Sequence, residues 1–314
     1  MVNVTCVFDC IGHHPSMTET PPILIDEAAH RRYRDRAAAG YGDHDFLKRA
    51  VAARIVDRLD AVRRRFGHVI DVDCHNGILA EMLAAHPSVD RVSAFDPSPQ
   101  MVAAAQARGI DAAVATADAL PLADESVDAV FSGFSLHWAN DLPGVMLKMR
   151  RLLKPDGLMI IALAGGVTLE GWRNCLAEAE TAVTGGMSPR VLPMADIRDL
   201  GGLIGRAGMA LPVADSDTLT ITWPDAFALM RDLRGMAEAN ALAGRLKMPT
   251  SRQVFMHAAM LAAERLGDAD GRISENFEII TLTGWAPHES QQQPLKPGAA
   301  KQSLADALKP DDDD

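Results

Sequence analysis

The chain contains a short segment, DVDCHNG (Asp71–Gly77), that combines two carboxylates, a cysteine and a histidine with one glycine. Asp71, Asp73 and His75 alternate, so in an extended segment their side chains would share one side, as metal ligands do. A calcium loop is excluded, because the glycine comes one residue late and Met82 occupies the twelfth position. Iron is the remaining metal alternative. We favour a loop that binds a nucleotide-type cofactor and no metal.

An alternation of strands and helices must position this segment. The predicted strands are HVID, Arg91–Asp96, Ala112–Asp118, Asp128–Ser135 and Leu158–Ala164. Apolar spacings of three and four predict an amphipathic helix from Asp43 to Phe66, and Ser98 is placed to cap a later helix. Apolar strands separated by helices predict an α/β fold with a parallel sheet covered on both faces.

Polar residues follow four of these strands, where open parallel sheets bind their ligands. Asp71 ends the first strand, and Asp96 ends the second at the spacing typical of a carboxylate that holds ribose hydroxyls. Asp118 can accept from an adenine amino group. Together these positions predict an adenosine-sized pocket. The candidate cofactor-binding residues are Asp71, Asp73, His75, Gly77, Asp96, Pro97, Asp118, Ala119 and Ser135.

The segments DVDCHNG, AFDPSPQMV, ADALPLADESVDAVFSGFSLHW and LKPDG resemble class I S-adenosylmethionine-dependent methyltransferases. The resemblance implies a Rossmann-like, seven-stranded sheet with its last strand antiparallel and a helical C-terminal insertion. It also implies S-adenosylmethionine as cofactor. In that family pattern Asp71 lies near the methionine amino end, Asp96 holds the ribose and Asp118 faces the adenine.

A longer resemblance runs through SLHWANDLPGVM, GGMSPRVLP, DLGGLIGRAGM, LMRDLRGMAEAN and GWAPHESQ to the assembly-factor family for respiratory complex I. It implies hydroxylation of an arginine in a complex I subunit, on a methyltransferase scaffold. The malonyl-acyl-carrier-protein methyltransferases of biotin synthesis are similar more loosely. Three functions stay open: modification of a protein side chain, methyl transfer to a carrier-bound carboxylate, and a non-catalytic assembly scaffold.

The opening loop departs from the superfamily pattern, acid-x-Gly-x-Gly-x-Gly. Asp73 and His75 replace the first two glycines, and both residue types tolerate the positive φ that glycine supplies. Asp73 would also face the carboxylate of the cofactor, and two like charges at ~4 Å cost roughly 1–4 kcal/mol. A protonated His75 is expected to offset much of this cost.

His137 and Trp138, in SLHW after the fourth strand, are the candidate catalytic residues. They would lie where the methyl donor meets the substrate, and His137 can act as a general base near neutral pH. The structural alternative weighs equally: Trp138 packs a domain junction and His137 caps the next segment.

Composition limits the partners. The net charge of −11 and a pI near 5.3 argue against general nucleic-acid binding. The basic run RRYRDR is expected on a solvated helix face, and contact with an acidic partner is the less favoured alternative. Four cysteines indicate a reducing cytoplasm rather than a disulfide framework, and Cys6, Cys10, His13 and His14 lack the second folded element of a zinc site. No apolar run spans a bilayer, although peripheral contact with the inner membrane is compatible with a complex I partner.

The predicted organisation has four parts. Residues 1–42 form an N-terminal extension and residues 43–165 the cofactor-binding core. Residues 166–286 form a helical insertion followed by the last strands, Ala214–Trp223 and Phe277–Trp285, with the latter at the sheet edge. Residues 287–314 are expected to be a mobile tail with a short helix at SLADAL.

Overall fold

The computed structural model describes residues 23–292, so the N-terminal Cys/His cluster, the SLADAL segment and most of the expected tail lie outside it. Its helices are α1 (Glu27–Ala37), α2 (Phe46–Asp60), α3 (Ile78–Ala84), α4 (Pro99–Ala107), α5 (Leu142–Leu152), α6 (Glu170–Thr184), α7 (Ile197–Arg206), α8 (Ala226–Gly235) and α9 (Arg252–Leu266). Its strands are β1 (Val69–Val72), β2 (Val92–Asp96), β3 (Asp111–Val114), β4 (Val127–Gly133), β5 (Leu153–Ala164), β6 (Ala210–Trp223) and β7 (Ile273–Trp285). Short 3-10 helices occupy Ala38–Asp43 and Leu136–Trp138.

The seven strands form one sheet in the order β3-β2-β1-β4-β5-β7-β6. Strands β1 to β5 run parallel, whereas β7 pairs antiparallel with both β5 and β6. This confirms the predicted Rossmann-like sheet with an antiparallel last strand. The strand order reverses between β1 and β4, and such a switch point opens a crevice at the carboxyl ends of the strands.

Two apolar layers cover the sheet. On one face Val69 and Phe131 pack with residues of α2, α3, α6 and α9, and on the other face Ile70 and Val130 pack with residues of α5 and α7. Neighbouring residues of β1 therefore serve opposite cores, as the two-residue period of a strand requires. Full burial of such side chains contributes roughly 1.5–3 kcal/mol each, which fixes the register that carries the strand ends.

Helix α1 lies over the carboxyl edge of the sheet and is tied to a distant segment. Asp26 caps the helix by accepting from the Ala29 amide at 2.9 Å, and its own amide donates to the Ala241 carbonyl oxygen at 2.8 Å. The amide of Ala243 donates to the Leu24 carbonyl oxygen at 2.8 Å, and Arg245 forms an ion pair with Asp26 at 2.8 Å. These contacts position α1 through the chain that follows α8.

Several predicted boundaries are corrected. Strand β3 ends at Val114, so Asp118 lies in a loop. Most residues of β3 are exposed, so the strand lacks the packing that would extend it to Asp118. Strand β7 lies inside the sheet, because β6 pairs along its free side and forms the edge. The predicted helix from Asp43 to Phe66 is shorter, since α2 covers Phe46–Asp60.

The segment LKPDG, at residues 153–157, lies at the start of strand β5, and its positive φ falls on Asp156 (64°). The cap predicted at Ser98 is confirmed by its bond from the Met101 amide. The four-part division of the chain stays a prediction, although β6 and β7 complete the same sheet as the core.

Candidate active site

The loop after β1 keeps the backbone shape of a glycine-rich loop without most of its glycines. Asp73, His75 and Gly77 all have positive φ, at 58°, 50° and 78°. These are the three positions at which the superfamily pattern has glycine. The interpretation that Asp and His reproduce the backbone conformation of glycine is therefore confirmed.

Gly77 is required by packing as well as by its backbone conformation. A Cβ atom at this position would lie 2.8 Å from the Cβ atom of Ala105 on α4. The space beside Gly77 is therefore occupied by a helix of the protein and not by a ligand, and Gly77 lines neither of the two cavities at the carboxyl edge. The retained glycine thus permits the close approach of α3 and α4.

Asp96, the predicted ribose-binding acid, is fully buried, and its carboxylate is already bonded. Its Oδ1 accepts from the Ser98 amide at 2.8 Å, and its Oδ2 accepts from the His75 amide at 2.9 Å. The same Oδ2 accepts from Nη1 of Arg34 at 2.7 Å. A ribose can therefore reach this carboxylate only when Arg34 withdraws.

Arg34 is a site residue that the sequence did not reveal. Its side chain is 0% exposed, and Nη2 donates to Oδ2 of Asp73 at 3.3 Å and to the hydroxyl of Ser135. Burial opposes the charge, but the carboxylates of Asp96 and Asp73 raise the pKa of Arg34 above its ordinary value. The expectation that RRYRDR forms only a solvated face is wrong for this residue, because α1 turns it into the site.

A second buried cation, Lys48 of α2, lies under the loop. Its Nζ is 2.7 Å from Nδ1 of His75 and donates to the Asp73 carbonyl oxygen at 3.3 Å. Burial, reinforced by Lys48, lowers the pKa of His75 well below its ordinary value. The expectation that a protonated His75 offsets the charge of Asp73 is therefore wrong. Arg34 supplies that positive charge.

Asp71 is buried, and within residues 23–292 neither of its carboxylate oxygens has a hydrogen-bond partner of ordinary length. The backbone amide of Ala80 acts on the carboxylate from a longer distance. Burial raises the pKa of Asp71 to about 7, against the opposing charge of Lys48. The residue lines neither cavity, so it influences the loop mainly through this buried charge.

A cavity of about 160 Å³ remains at the carboxyl edge. We call it the cofactor-side cavity; it is lined by residues that include Glu27, His30, Asp73, Pro97, Thr116, Asp118, Leu136, Trp138 and Val145. Asp118 is exposed at its rim, as an adenine-facing acid would be, and its carbonyl oxygen accepts from Lys148 at 2.6 Å. Ala119 lies outside, in an adjacent hollow.

The fit of this cavity to an S-adenosylmethionine molecule is partial. Sites for drug-sized ligands measure ~300–1,000 Å³, so the space beside Asp118 suits the adenine end alone. The region of Asp96 and Ser135, where the ribose would lie, is filled by Arg34. The residues therefore fit the cofactor once the Arg34 side chain moves.

The SLHW segment forms a 3-10 helix that meets a second unpredicted residue, Glu238. The indole Nε1 of Trp138 donates to Oε2 of Glu238 at 2.6 Å, and Nε2 of His137 lies 3.3 Å from the same oxygen. Burial alone would raise the pKa of Glu238, but His137 and Trp138 outweigh it and hold the pKa below its ordinary value. Glu238 is thus a carboxylate anion. The predicted capping role of His137 is not seen.

A larger cavity of about 230 Å³ lies on the other side of Trp138. We call it the substrate-side cavity; its lining includes Phe134, His137, Trp138, Trp172, Arg190, Arg234, Glu238, Phe255 and Phe277. Of the described residues, Trp138 alone lines both cavities. Trp138 also packs with Ile25 and Leu242, so its predicted role in a structural junction coexists with its place at the site.

The part of the chain from 23 to 292 shows no group of three His, Cys, Asp or Glu side chains placed to hold a metal ion. In the DVDCHNG loop, the imidazole of His75 faces the ammonium group of Lys48 rather than a carboxylate. The same part contains no helix long and apolar enough to cross a membrane.

Comparisons with known proteins define the class to which this fold and site belong. A methyltransferase-domain family model matches residues 70–161. The fold resembles the YcgJ protein from Bacillus subtilis (TM-score 0.54, 15% identity, 76% of this chain and 99% of that one). It also resembles a putative methyltransferase from Bacillus halodurans (TM-score 0.53, 15% identity, 76% and 100%). The fold is that of the S-adenosylmethionine-dependent methyltransferases.

Relatives in sequence narrow this class. The mitochondrial arginine hydroxylase NDUFAF5 of Danio rerio is 36% identical over 91% of this chain and 90% of that protein. The human NDUFAF5 is 35% identical over 83% and 76%. A malonyl-acyl-carrier-protein O-methyltransferase from Laribacter hongkongensis is 31% identical over 89% and 96%. The chain belongs to the family that contains these enzymes, which confirms the predicted resemblance and the prediction of an enzyme on the methyltransferase scaffold.

Proposed function

We propose that the protein binds S-adenosylmethionine at the carboxyl edge of the sheet and modifies a protein side chain, an arginine of a respiratory complex I subunit. The observation that carries the proposal is the pair of cavities separated by Trp138. One cavity has an adenine-type acid, Asp118, at its rim, and the other is lined by a partly buried anion, Glu238. The names of the NDUFAF5 relatives, which are arginine hydroxylases, support the arginine. A complex I subunit as substrate would bring the protein to the inner membrane.

The cofactor-side residues have distinct roles in this proposal. Asp118 and Pro97 receive the adenine, and Asp73, which lines the cofactor-side cavity, approaches the methionine end, while His75 and Gly77 give the loop its shape. Asp96 and Ser135 receive the ribose after Arg34 moves away. Ala119 contributes only through the loop it shares with Asp118, and Asp71 acts through its charge beneath the loop. The bound cofactor would supply an electrophilic sulfonium group.

His137 is the proposed proton acceptor on the substrate side. Glu238 accepts from its Nε2, which leaves Nδ1 as the basic nitrogen of the ring. This Nδ1 atom is buried and has no hydrogen-bond partner in the described part of the chain, and the residue lines the substrate-side cavity. Trp138 is held in place by the same carboxylate and brings the two cavities within reach of each other. Positioning of this kind is the main contribution of a protein to group transfer.

Methyl transfer to a carrier-bound carboxylate is the second candidate. Arg234 is exposed at the substrate-side cavity and offers a guanidinium group to an anion. The malonyl-acyl-carrier-protein relative supports this function. A non-catalytic scaffold is the third candidate, and the closed contact between Arg34 and Asp96 is the observation that favours it.

Mass spectrometry of complex I subunits from a deletion strain tests the proposal. We expect one arginine to lose a modification, with the mass of an oxygen atom for hydroxylation or of a methylene group for methylation. Restoration by the intact gene is the control. An unchanged set of subunits would exclude the arginine function, and calorimetry with S-adenosylmethionine would then separate another enzyme, with micromolar binding, from a scaffold, with no binding at millimolar ligand.

A further inference from the structure

Glu238 presents a carboxylate to the substrate-side cavity and is only half used by the protein. Its side chain is 13% exposed. Oε2 accepts from Trp138 and lies beside His137, whereas Oε1 has no hydrogen-bond partner among residues 23–292. Oε1 is open to the cavity, so a donor on a ligand can replace the water that solvates it, and a hydrogen bond to a charged acceptor is stronger than one to a neutral acceptor.

The walls around this carboxylate are aromatic. The rings of Phe134, Trp138, Trp172, Phe255 and Phe277 line the same cavity. Aromatic faces attract cations, and the attraction grows when water is excluded. A single carboxylate within aromatic walls therefore selects a cation over an anion or a neutral group of the same shape.

Two arginines line this cavity and must be accounted for. Arg190 is committed to Glu180, to which it donates at 2.6 and 2.8 Å, and to Thr250 at 2.9 Å. Arg234 is exposed, so water screens its charge. Arg34 also acts on Glu238 electrostatically, but it is paired with Asp96 and Asp73. None of the three donates a hydrogen bond to Glu238, which leaves Oε1 available for a ligand.

The size of the cavity limits the ligand to one side chain. At about 230 Å³ it falls below the ~300–1,000 Å³ of drug-sized sites. We infer that Glu238 is the specificity-determining residue that receives the cationic head of a substrate side chain. A guanidinium group is preferred to an ammonium group, because its planar surface stacks on aromatic rings while an N–H donates to Oε1. This inference rests on the proposed function for the identity of the substrate and on the cavity for the site.

A binding experiment separates this role from catalysis. The probes are a short peptide with one arginine and the same peptide with citrulline, which keeps the shape and removes the charge. Calorimetry on the full chain is expected to show about ten- to a hundredfold tighter binding of the arginine peptide, since a charged hydrogen bond is gained. The Glu238→Gln variant retains an acceptor for Trp138 but should bind both peptides within about twofold of each other.

Two controls keep the result specific. Glu264→Gln makes the same chemical change at an exposed position of α9 and should leave the preference unchanged. If Glu238 has a purely structural role, its replacement should weaken the binding of both peptides equally and lower the melting temperature. If it recognises the cation, the replacement should change the ratio of the two dissociation constants. Equal binding of both peptides by the wild type, no binding of either, or tighter binding of malonate overturns the inference. A measured preference upholds it even if the subunit masses in the deletion strain are unchanged.

Discussion

The guanidinium group of Arg34 and the carboxylate of Asp96 form a fully buried ion pair at 2.7 Å, both side chains being 0% exposed. In the superfamily pattern this acid binds the ribose of the cofactor. Here the carboxylate is paired with Arg34 of α1, so the ribose of the cofactor and the Arg34 side chain compete for the same carboxylate.

Removal of Arg34 is expected to destabilise the fold. Arg34→Leu would leave the carboxylates of Asp96 and Asp73 buried without their cation, and breaking a buried pair costs about 3–5 kcal/mol. Urea denaturation measures the loss. Arg36→Leu, at an exposed position of the same helix, is the matched control and should change the unfolding free energy by less than ~0.5 kcal/mol. Similar losses in both variants would show that the pair is not what holds α1.

Restoration of the glycines is expected to tighten cofactor binding only modestly. The double variant Asp73→Gly with His75→Gly removes the like charge opposite the cofactor carboxylate and widens the loop. We expect Arg34 to release Asp96 but to keep its contact with Asp73 when the cofactor binds, so part of the Asp73 charge stays neutralised and the remaining gain is roughly 1 kcal/mol, or about fivefold in affinity. Calorimetry with S-adenosylmethionine measures it.

The control for this variant is Asp156→Gly, which removes a charge at another positive-φ position, remote from the loop. It should leave the affinity unchanged. An unchanged affinity in the double variant would mean that the loop does not limit binding, and a much larger gain would mean that Arg34 does not screen Asp73.

Stability should fall as pH rises through the range set by Asp71. Its pKa is raised from 3.8 to about 7 in the folded state. Between these values the folded protein binds more protons than the unfolded chain, so the unfolding free energy decreases as the pH increases. Because the ammonium group of Lys48 stabilises the ionised carboxylate, we expect the unfolding free energy to fall by only ~1–4 kcal/mol across this pH range.

The Asp71→Asn variant isolates this effect. It cannot ionise, so its unfolding free energy should lack the part of the pH slope between about 4 and 7 that Asp71 contributes. Denaturation curves at a series of pH values, recorded for both proteins, give the difference directly. Parallel pH profiles of the two proteins would contradict the raised pKa.

Two glycines with the same backbone conformation allow strain and packing to be separated. Gly77 has a φ of 78° and Gly109 a φ of 83°. A Cβ atom at Gly77 would meet Ala105, whereas one at Gly109 would meet no atom of residues 23–292 within 4 Å. Gly109→Ala should cost about 1–2 kcal/mol for the conformation alone. Gly77→Ala should cost ~1–3 kcal/mol more, because the new methyl group overlaps Ala105. Thermal unfolding of both variants checks the order, and equal losses would remove the packing role.

Much of the core could be predicted from the sequence, because local patterns specify it. Apolar strands separated by helices indicate a parallel sheet, and the acids after β1 and β2 follow from the chain order. The conformation of the loop was also predictable, since Asp73 and His75 are residue types that tolerate positive φ. These features depend on neighbours in sequence.

Arg34 and Glu238 could not be found in this way. Arg34 lies in a basic run whose other members are mostly exposed, and only the placement of α1 buries it. Glu238 follows α8 without a periodic pattern, and only the fold brings it to Trp138, 100 residues away. The charge state of His75 was mispredicted for the same reason, because burial in the folded protein, reinforced by Lys48 of another helix, lowers its pKa. Such long-range pairings have no local signal.

The backbone bonds of Asp26 to Ala241 and of Ala243 to Leu24 have a mechanical consequence. They fasten α1, which carries Arg34, to the chain that begins with Glu238. A movement of α1 that frees Asp96 therefore also displaces the segment that lines the substrate-side cavity. We therefore expect the two ligands to bind in a fixed order, with S-adenosylmethionine first, because the same backbone contacts couple the two cavities.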